Sequence, residues 1–158
     1  MEVFDKQGHE IIAESIKDRK FYLALADFED GWGFGEEPVY DGTVGEIFGY
    51  IAENYKTFVV EDANGDIEHK DKFYKAVTEP TNMVFVQFKQ RGTPIDERII
   101  RQYLMVTGIT PNVGLENQTW WEKNEMNDTG MKKLVCENIS PKKLNIGSQE
   151  TLSWLLVF

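Results

Sequence analysis

The chain has 158 residues, with 27 acidic against 17 basic side chains and a net charge of −10. Since roughly 100–200 residues make one domain, we expect a single domain over residues 1–158. The excess of acidic residues argues against binding to nucleic acid and against binding to an anionic membrane surface, because phosphates and anionic lipids attract basic proteins.

The cysteine content and the apolar runs exclude further classes. Cys136 is the only cysteine, so an internal disulfide and a cysteine-based zinc site are both excluded. Residues 1–20 lack the apolar stretch of a secretory signal, and no run is long enough to span a membrane. We therefore expect synthesis in the cytoplasm and no membrane insertion. We also predict no metal and no cofactor.

The N-terminal third predicts a short helical start, a strand and a long loop. Residues 9–18 show weak helical spacing, which predicts one or two turns leading into a strand at 21–26. Residues 27–42 are rich in Gly and Asp, which break any period and predict a loop. Aromatic side chains in such a loop are expected to pack back onto the core, and these are Trp32, Phe34 and Tyr40.

The clearest helical pattern covers residues 44–54. Thr43 can cap this segment and Glu46 completes a capping box. Apolar residues follow at spacings i, i+3, i+4 and i+7, which form one face of a helix: Val44, Ile47, Phe48 and Ile51. The sequence therefore predicts one short helix here.

The middle of the chain predicts strands and a tight turn. Residues 57–61 have strand composition, and Asn64-Gly65 is a strong hairpin signal ahead of a polar return segment at 67–77. Residues 83–88 are apolar on both faces, which predicts a central strand covered on both sides.

The C-terminal half is less regular. Residues 94–107 fit either a helix or a strand, and residues 110–130 predict a long irregular segment. A strand is predicted at 132–137, followed by a turn at 140–143.

The sequence ends on an apolar segment at residues 151–158. Its large side chains are Leu152, Trp154, Leu155, Leu156, Val157 and Phe158. Burial of each contributes roughly 1.5–3 kcal/mol, and together they exceed a typical net stability of about 5–15 kcal/mol. We expect a core strand, a strand added to a partner, or both.

These elements predict a mainly β (α+β) fold. Strands at irregular spacing joined by long aromatic loops indicate a β-sandwich or distorted barrel, with one short helix near residues 44–54.

Motifs for catalysis fail on inspection. His9-Glu10 begins a metalloprotease pattern, but Ala13 stands where the second histidine is required. His69 lies among charged residues, and no serine occupies a G-x-S-x-G turn. We therefore expect no enzyme and no catalytic residue.

Aromatic residues are the best candidates for a partner interface, because tryptophan is enriched at binding hot spots. Adjacent residues on a strand point to opposite faces, so one ring of Trp120-Trp121 can lie inside and the other outside. The predicted interface residues are Trp32, Trp120, Trp121, Trp154 and Phe158.

The order of several short segments resembles a known group of proteins. The segments are 20–25 followed by Trp32 and Pro38, 79–81 ahead of 84–86, 100–102 ahead of 104–106 and Gly108, and the apolar strand that ends at Phe158. This order resembles small structural proteins of tailed-phage tails and baseplates, including wedge and fibre-connecting subunits of contractile tails.

The resemblance implies an assembly protein in the virion tail that catalyses no reaction. It would bind copies of itself and other tail or baseplate proteins through β-rich interfaces. The alternative is a carbohydrate- or receptor-binding module that uses Trp32, Trp120 and Trp121, since flat aromatic rings also stack on sugars.

Overall fold

A computed structural model describes residues 5–91, 98–143 and 149–158. Over these residues it contains one α-helix, a short 3₁₀ helix at Lys123–Glu125 and eleven strands. The helix is α1 (Lys6–Lys17) and the strands are β1 (Tyr22–Asp27), β2 (Glu46–Glu61), β3 (Ile67–His69), β4 (Lys72–Val77), β5 (Met83–Arg91), β6 (Ile100–Thr107), β7 (Thr110–Pro111), β8 (Trp120–Glu122), β9 (Met126–Asn127), β10 (Lys132–Lys142) and β11 (Gln149–Val157). Strands make up 52% of the described residues, which confirms the mainly β prediction.

The described residues divide into two compact units. The first contains residues 5–20, 53–88 and 151–158, and the second contains 21–52, 89–91, 98–143 and 149–150. The single domain over 1–158 stays a prediction.

The second unit is built on an antiparallel sheet in the order β10-β6-β1-β2, with β8 also paired to β2. This sheet curls into a half-barrel. Its interior holds an apolar cluster made of Tyr22, Ala24, Ala26, Ile47, Tyr50, Leu104, Val106, Ile109, Trp121 and Met126. Strand β1 is buried over Tyr22–Ala26, as expected for a central strand with partners on both sides.

The first unit has the strand order β3-β4-β2-β5-β11. One cluster on this sheet joins Val59, Tyr74 and Phe85, with Ile67, Met83 and Leu155 packed around them. Helix α1 buries Ala13, and Lys17 Nζ lies 5.0 Å from the centre of the Phe58 ring. Strand β5 is confirmed as a central strand, since β2 and β11 pair with its two edges.

The helix predicted at 44–54 was wrong, because this segment is the first part of β2. Five consecutive residues, 47–51, are buried there, since β1 and β8 pair with this part of the strand. A continuous buried strand places apolar residues at helical spacings as well, so periodicity cannot separate the two.

The only α-helix of the described residues lies instead at Lys6–Lys17, where the sequence predicted one or two turns. Asp5 caps it, with its Oδ1 accepting a hydrogen bond of 2.9 Å from the Gly8 amide. Its apolar pattern is weak because Ala13 is its only fully buried side chain and Ile11 remains 65% exposed.

The hairpin turn predicted at Asn64-Gly65 is found at a different place in the chain. Asn64-Gly65 does turn the chain, with the Gly65 amide bonded to the Asp62 carbonyl at 2.8 Å, but the tight hairpin joins β3 to β4 through Lys70 and Asp71. Both of these residues have positive φ, as a two-residue hairpin requires.

Later elements also differ from the sequence pattern. Strand β10 continues through the predicted turn as far as Lys142. The ambiguous segment 94–107 resolves as strand β6 from Ile100, and residues 94–97 lie outside the described chain. The segment 110–130, predicted to be irregular, contains three short strands. Of these, β8 pairs with β2 in the sheet of the second unit.

Candidate interaction surfaces

The three tryptophans of the second unit differ in their surroundings. Trp121 is 0% exposed, its Nε1 donates to the Leu115 carbonyl at 2.7 Å, and its ring meets Tyr22 edge-on at 5.5 Å. Trp32 is half-buried, donates from Nε1 to the Ile139 carbonyl at 2.7 Å and packs against Phe28. Trp120 is half-buried on β8. In this structure Trp121 belongs to the core rather than to the surface.

This arrangement also bears on the glycan-binding alternative. A stacking platform would rest on Trp120 and on the open part of Trp32, since the Trp121 ring is enclosed. Glycan binding stays a prediction. The exposed aromatic surface available for it is smaller than the sequence suggested.

Trp154 and Phe158 lie at the end of the first unit. The Trp154 ring meets Phe88 edge-on at 5.8 Å, and both residues Trp154 and Phe158 are half-buried. The Phe158 amide donates to the Asn82 carbonyl at 2.9 Å, and Asn82 Nδ2 donates to the Phe158 carbonyl at 3.3 Å. These bonds hold the end of the strand, but the interface role of both residues remains untested.

Strand β11 is an edge strand of the first unit. It pairs with β5 on one side, and within the described residues no ladder covers its other side. None of its side chains is fully buried, and Val157 is 62% exposed. An apolar edge strand is the structure to which another strand can add.

A polar contact links β11 to β3, the strand at the opposite end of this sheet order. His69 Nδ1 lies 3.1 Å from Ser153 Oγ, and the His69 ring meets Phe85 edge-on at 6.3 Å. Burial, with a smaller contribution from the charge of Lys70, lowers the pKa of His69. The imidazole is therefore neutral at neutral pH.

This lowered pKa predicts that acid weakens the first unit. The unfolded chain binds the His69 proton more readily, so the free energy of unfolding is unaffected above the unfolded pKa of about 6.5 and falls as the pH drops toward the folded value. Urea unfolding of the wild type and of His69→Gln at neutral and at mildly acidic pH checks this. We expect the wild type to lose more stability than the variant, and equal losses would contradict the assignment.

A second candidate surface is the 28–45 loop, which connects β1 to β2. At its beginning, Arg101 Nε donates to the Trp32 carbonyl at 2.9 Å while Arg101 Nη1 bonds Asp27 Oδ1 at 2.6 Å. Gly31 leaves room for this arginine, since a Cβ there would lie 2.5 Å from Arg101 Cδ. At its end, the buried Gln102 donates to the Thr43 carbonyl and accepts from the Gly45 amide, both at 3.0 Å.

The middle of the 28–45 loop is attached to β10. Ser140 Oγ accepts from the Gly35 amide at 3.0 Å and donates to Glu37 Oε2 at 2.8 Å. Asn138 Nδ2 donates to the Pro38 carbonyl at 2.9 Å. The loop is thus fixed along its whole length, although it lacks regular secondary structure.

Two apolar side chains of this fixed loop point into solvent. Phe34 is 86% exposed and Val39 is 91% exposed. The expectation that Phe34 packs onto the core was therefore wrong, whereas Trp32 and Tyr40 are half-buried. The sequence analysis did not single out Val39. The feature that could have indicated the exposure of Phe34 and Val39 is their position among glycines and acidic residues. Rigid, exposed apolar residues are typical of binding anchors.

The same loop is uniformly acidic. It contains no lysine or arginine and has five exposed acids, which are Glu29, Asp30, Glu36, Glu37 and Asp41. Backbone and Ser140 hydrogen bonds lower the pKa of Glu37, and hydrogen bonds from Thr43 lower that of Asp41. Both carboxylates are therefore charged at neutral pH.

A third surface, the basic cleft, lies in the first unit where α1 ends beside β2. Its open cavity of about 350 Å³ is lined by Lys17, Asp18, Arg19, Lys20, Glu53, Asn54, Tyr55 and Lys56. Lys56 Nζ bonds Glu53 Oε2 at 3.0 Å and also contacts the Arg19 carbonyl. Four cations against two acids make this a positive region on a chain of net charge −10.

Two other kinds of site are absent from the described residues. No group of three or more His, Cys, Asp or Glu side chains there could hold a metal ion. In the same part of the chain, no helix has the length and apolar character needed to cross a membrane.

The chain was compared with known protein families and with curated proteins. A family model described as "Baseplate wedge 3 tail fiber network component" matches residues 1–158, the whole chain. No curated protein matches the sequence.

Proposed function

The chain belongs to the family of baseplate wedge 3 tail fiber network components, and on that basis we propose that it is a structural subunit that assembles with copies of itself and with other tail proteins. Membership in this family places it in the phage tail baseplate. We further propose that it catalyses no reaction and is made in the host cytoplasm before it joins the virion.

The open edge of β11 is the observation that supports assembly most directly. Strand β11 pairs with β5 on one side, no ladder covers its other side within the described residues, and side chains such as Leu156 and Val157 are partly or largely exposed. A strand from a neighbouring subunit that paired there would extend the sheet and cover apolar surface. A β-rich interface of this kind needs no catalytic group.

Gradient sedimentation of a lysate from phage-producing cells tests this function. The chain is detected with an antibody across the fractions, a soluble host enzyme marks free protein, and positive fractions are imaged by electron microscopy. We expect the chain in large particles with tail-like shapes. Recovery only as a species of one to a few subunits, absent from every particle, would refute the proposal.

A further inference from the structure

The 28–45 loop and the basic cleft complement each other, although they belong to different units of the chain. We propose that the 28–45 loop of one copy docks into the basic cleft of a second copy, forming a head-to-tail contact between subunits. This inference rests on the proposed function, because it names one of the self-contacts that assembly requires.

The first support is that the loop is preorganised. Hydrogen bonds with the side chains of Arg101, Gln102, Asn138 and Ser140 hold its beginning, middle and end. Ordering a flexible loop on association costs conformational entropy, which opposes binding. A loop already held in place avoids most of this cost, so its structure is that of a binding element.

The second support is the apolar tip. Phe34 and Val39 are the most exposed large apolar residues of the loop. Removal of their apolar surface from water is favourable and would contribute to binding. The cleft offers Tyr55, which is 41% exposed, together with the stems and charges of its lysines and arginine. An aromatic ring that enters such a site can pack on the phenol and accept cation–π contacts.

The third support is charge. The loop has five exposed acids and no base, whereas the cleft has, besides the Lys56–Glu53 ion pair, three cations and one acid. Two copies of net charge −10 repel each other at long range. Salt screens that repulsion beyond about 10 Å at 0.1 M, so the local attraction between loop and cleft decides the contact.

The symmetry of the contact follows from its two different surfaces. Each copy contributes a loop to one neighbour and a cleft to another, so the contact is heterologous and closes into a ring or extends as a chain. The edge of β11 is not used in it and remains available for other tail proteins.

Sedimentation velocity of the purified full-length chain tests the proposal. The loop variant carries Phe34→Ser and Val39→Ser, and the cleft variant carries Arg19→Glu and Lys20→Glu. Val113→Ser is the matched control for the loop, since Val113 is 97% exposed elsewhere in the second unit. Lys75→Glu is the matched control for the cleft, as an exposed lysine of β4.

We expect the wild type and both controls to self-associate with rising concentration, and more weakly at high salt. Each interface variant should weaken association at least tenfold while its circular dichroism stays unchanged. An equal mixture of the two variants should form dimers and nothing larger, because it retains one intact loop and one intact cleft per pair.

Three results would overturn the inference: a wild type that stays monomeric, interface variants that associate like their controls, or a mixture that fails to form dimers. If any of these occurs while the chain still sediments with tail particles, the loop contact is refuted and the structural function stands. Absence of the chain from all particles would instead refute the function itself.

Discussion

Replacing Trp121 with alanine is expected to lower the free energy of unfolding by about 3–5 kcal/mol. The side chain is fully enclosed in the core of the second unit, edge-on to Tyr22. Its removal leaves a large cavity and also leaves the Leu115 carbonyl without its indole donor. Because net stability is typically about 5–15 kcal/mol, this one change brings the chain close to unfolding.

Trp120→Ala is the matched control, since the two residues are neighbours on the same short strand. Trp120 is half-buried, so we expect its loss to cost much less stability. If Trp120 contacts a partner, this variant folds but assembles poorly. Chemical denaturation of both variants measures the difference, and equal losses would contradict the burial assigned to Trp121.

Deletion of residues 152–158 is expected to abolish soluble folding or assembly. The deletion removes Leu155 from the cluster around Phe85, removes the Trp154 ring from Phe88 and exposes the edge of β5. A bare apolar edge next to an opened core promotes aggregation. The soluble fraction and thermal unfolding of the truncated chain measure the effect. A truncated chain that remained soluble, folded and able to assemble would contradict this role of the strand.

Point substitutions on β11 separate folding from assembly. Leu155→Ser removes a side chain packed on the Val59 cluster, so we expect it to destabilise the first unit. Val157→Ser changes a side chain that is 62% exposed, so we expect stability to change little.

The strands that could be predicted from sequence are those in which the residue composition and the flanking turn residues both indicate a strand. Residues 83–88 are apolar on both faces, and β5 is indeed a central strand. The terminal strand at 151–158 was also predicted, but its partner was not, because pairing depends on contacts distant in sequence. Of the two possibilities left open for it, pairing within the chain is present through β5.

The helix could not be placed from periodicity. Residues 47–51 are buried consecutively because neighbouring strands and the core cover both faces of β2, and such a run fits a helix equally well. The true helix at Lys6–Lys17 presents few apolar residues to the core, so its pattern is faint.

The candidate surfaces were predicted only in part. Tryptophan composition suggested Trp32, Trp120 and Trp121 as interface residues, which stays a prediction, and it could not reveal that Trp121 is enclosed, since adjacent residues differ only by the face they occupy. The loop that carries the exposed Phe34 and Val39 is attached by hydrogen bonds to side chains of β6 and β10. Those hydrogen bonds join residues about 70–100 positions apart, which no local pattern encodes.

We propose that this chain is built into the baseplate through its β-rich surfaces, and cryo-electron microscopy of purified tail particles can test this. We expect density for the chain in the baseplate, with a neighbouring strand along the edge of β11 that does not pair with β5. Particles with complete baseplates in which this chain has no density would contradict it.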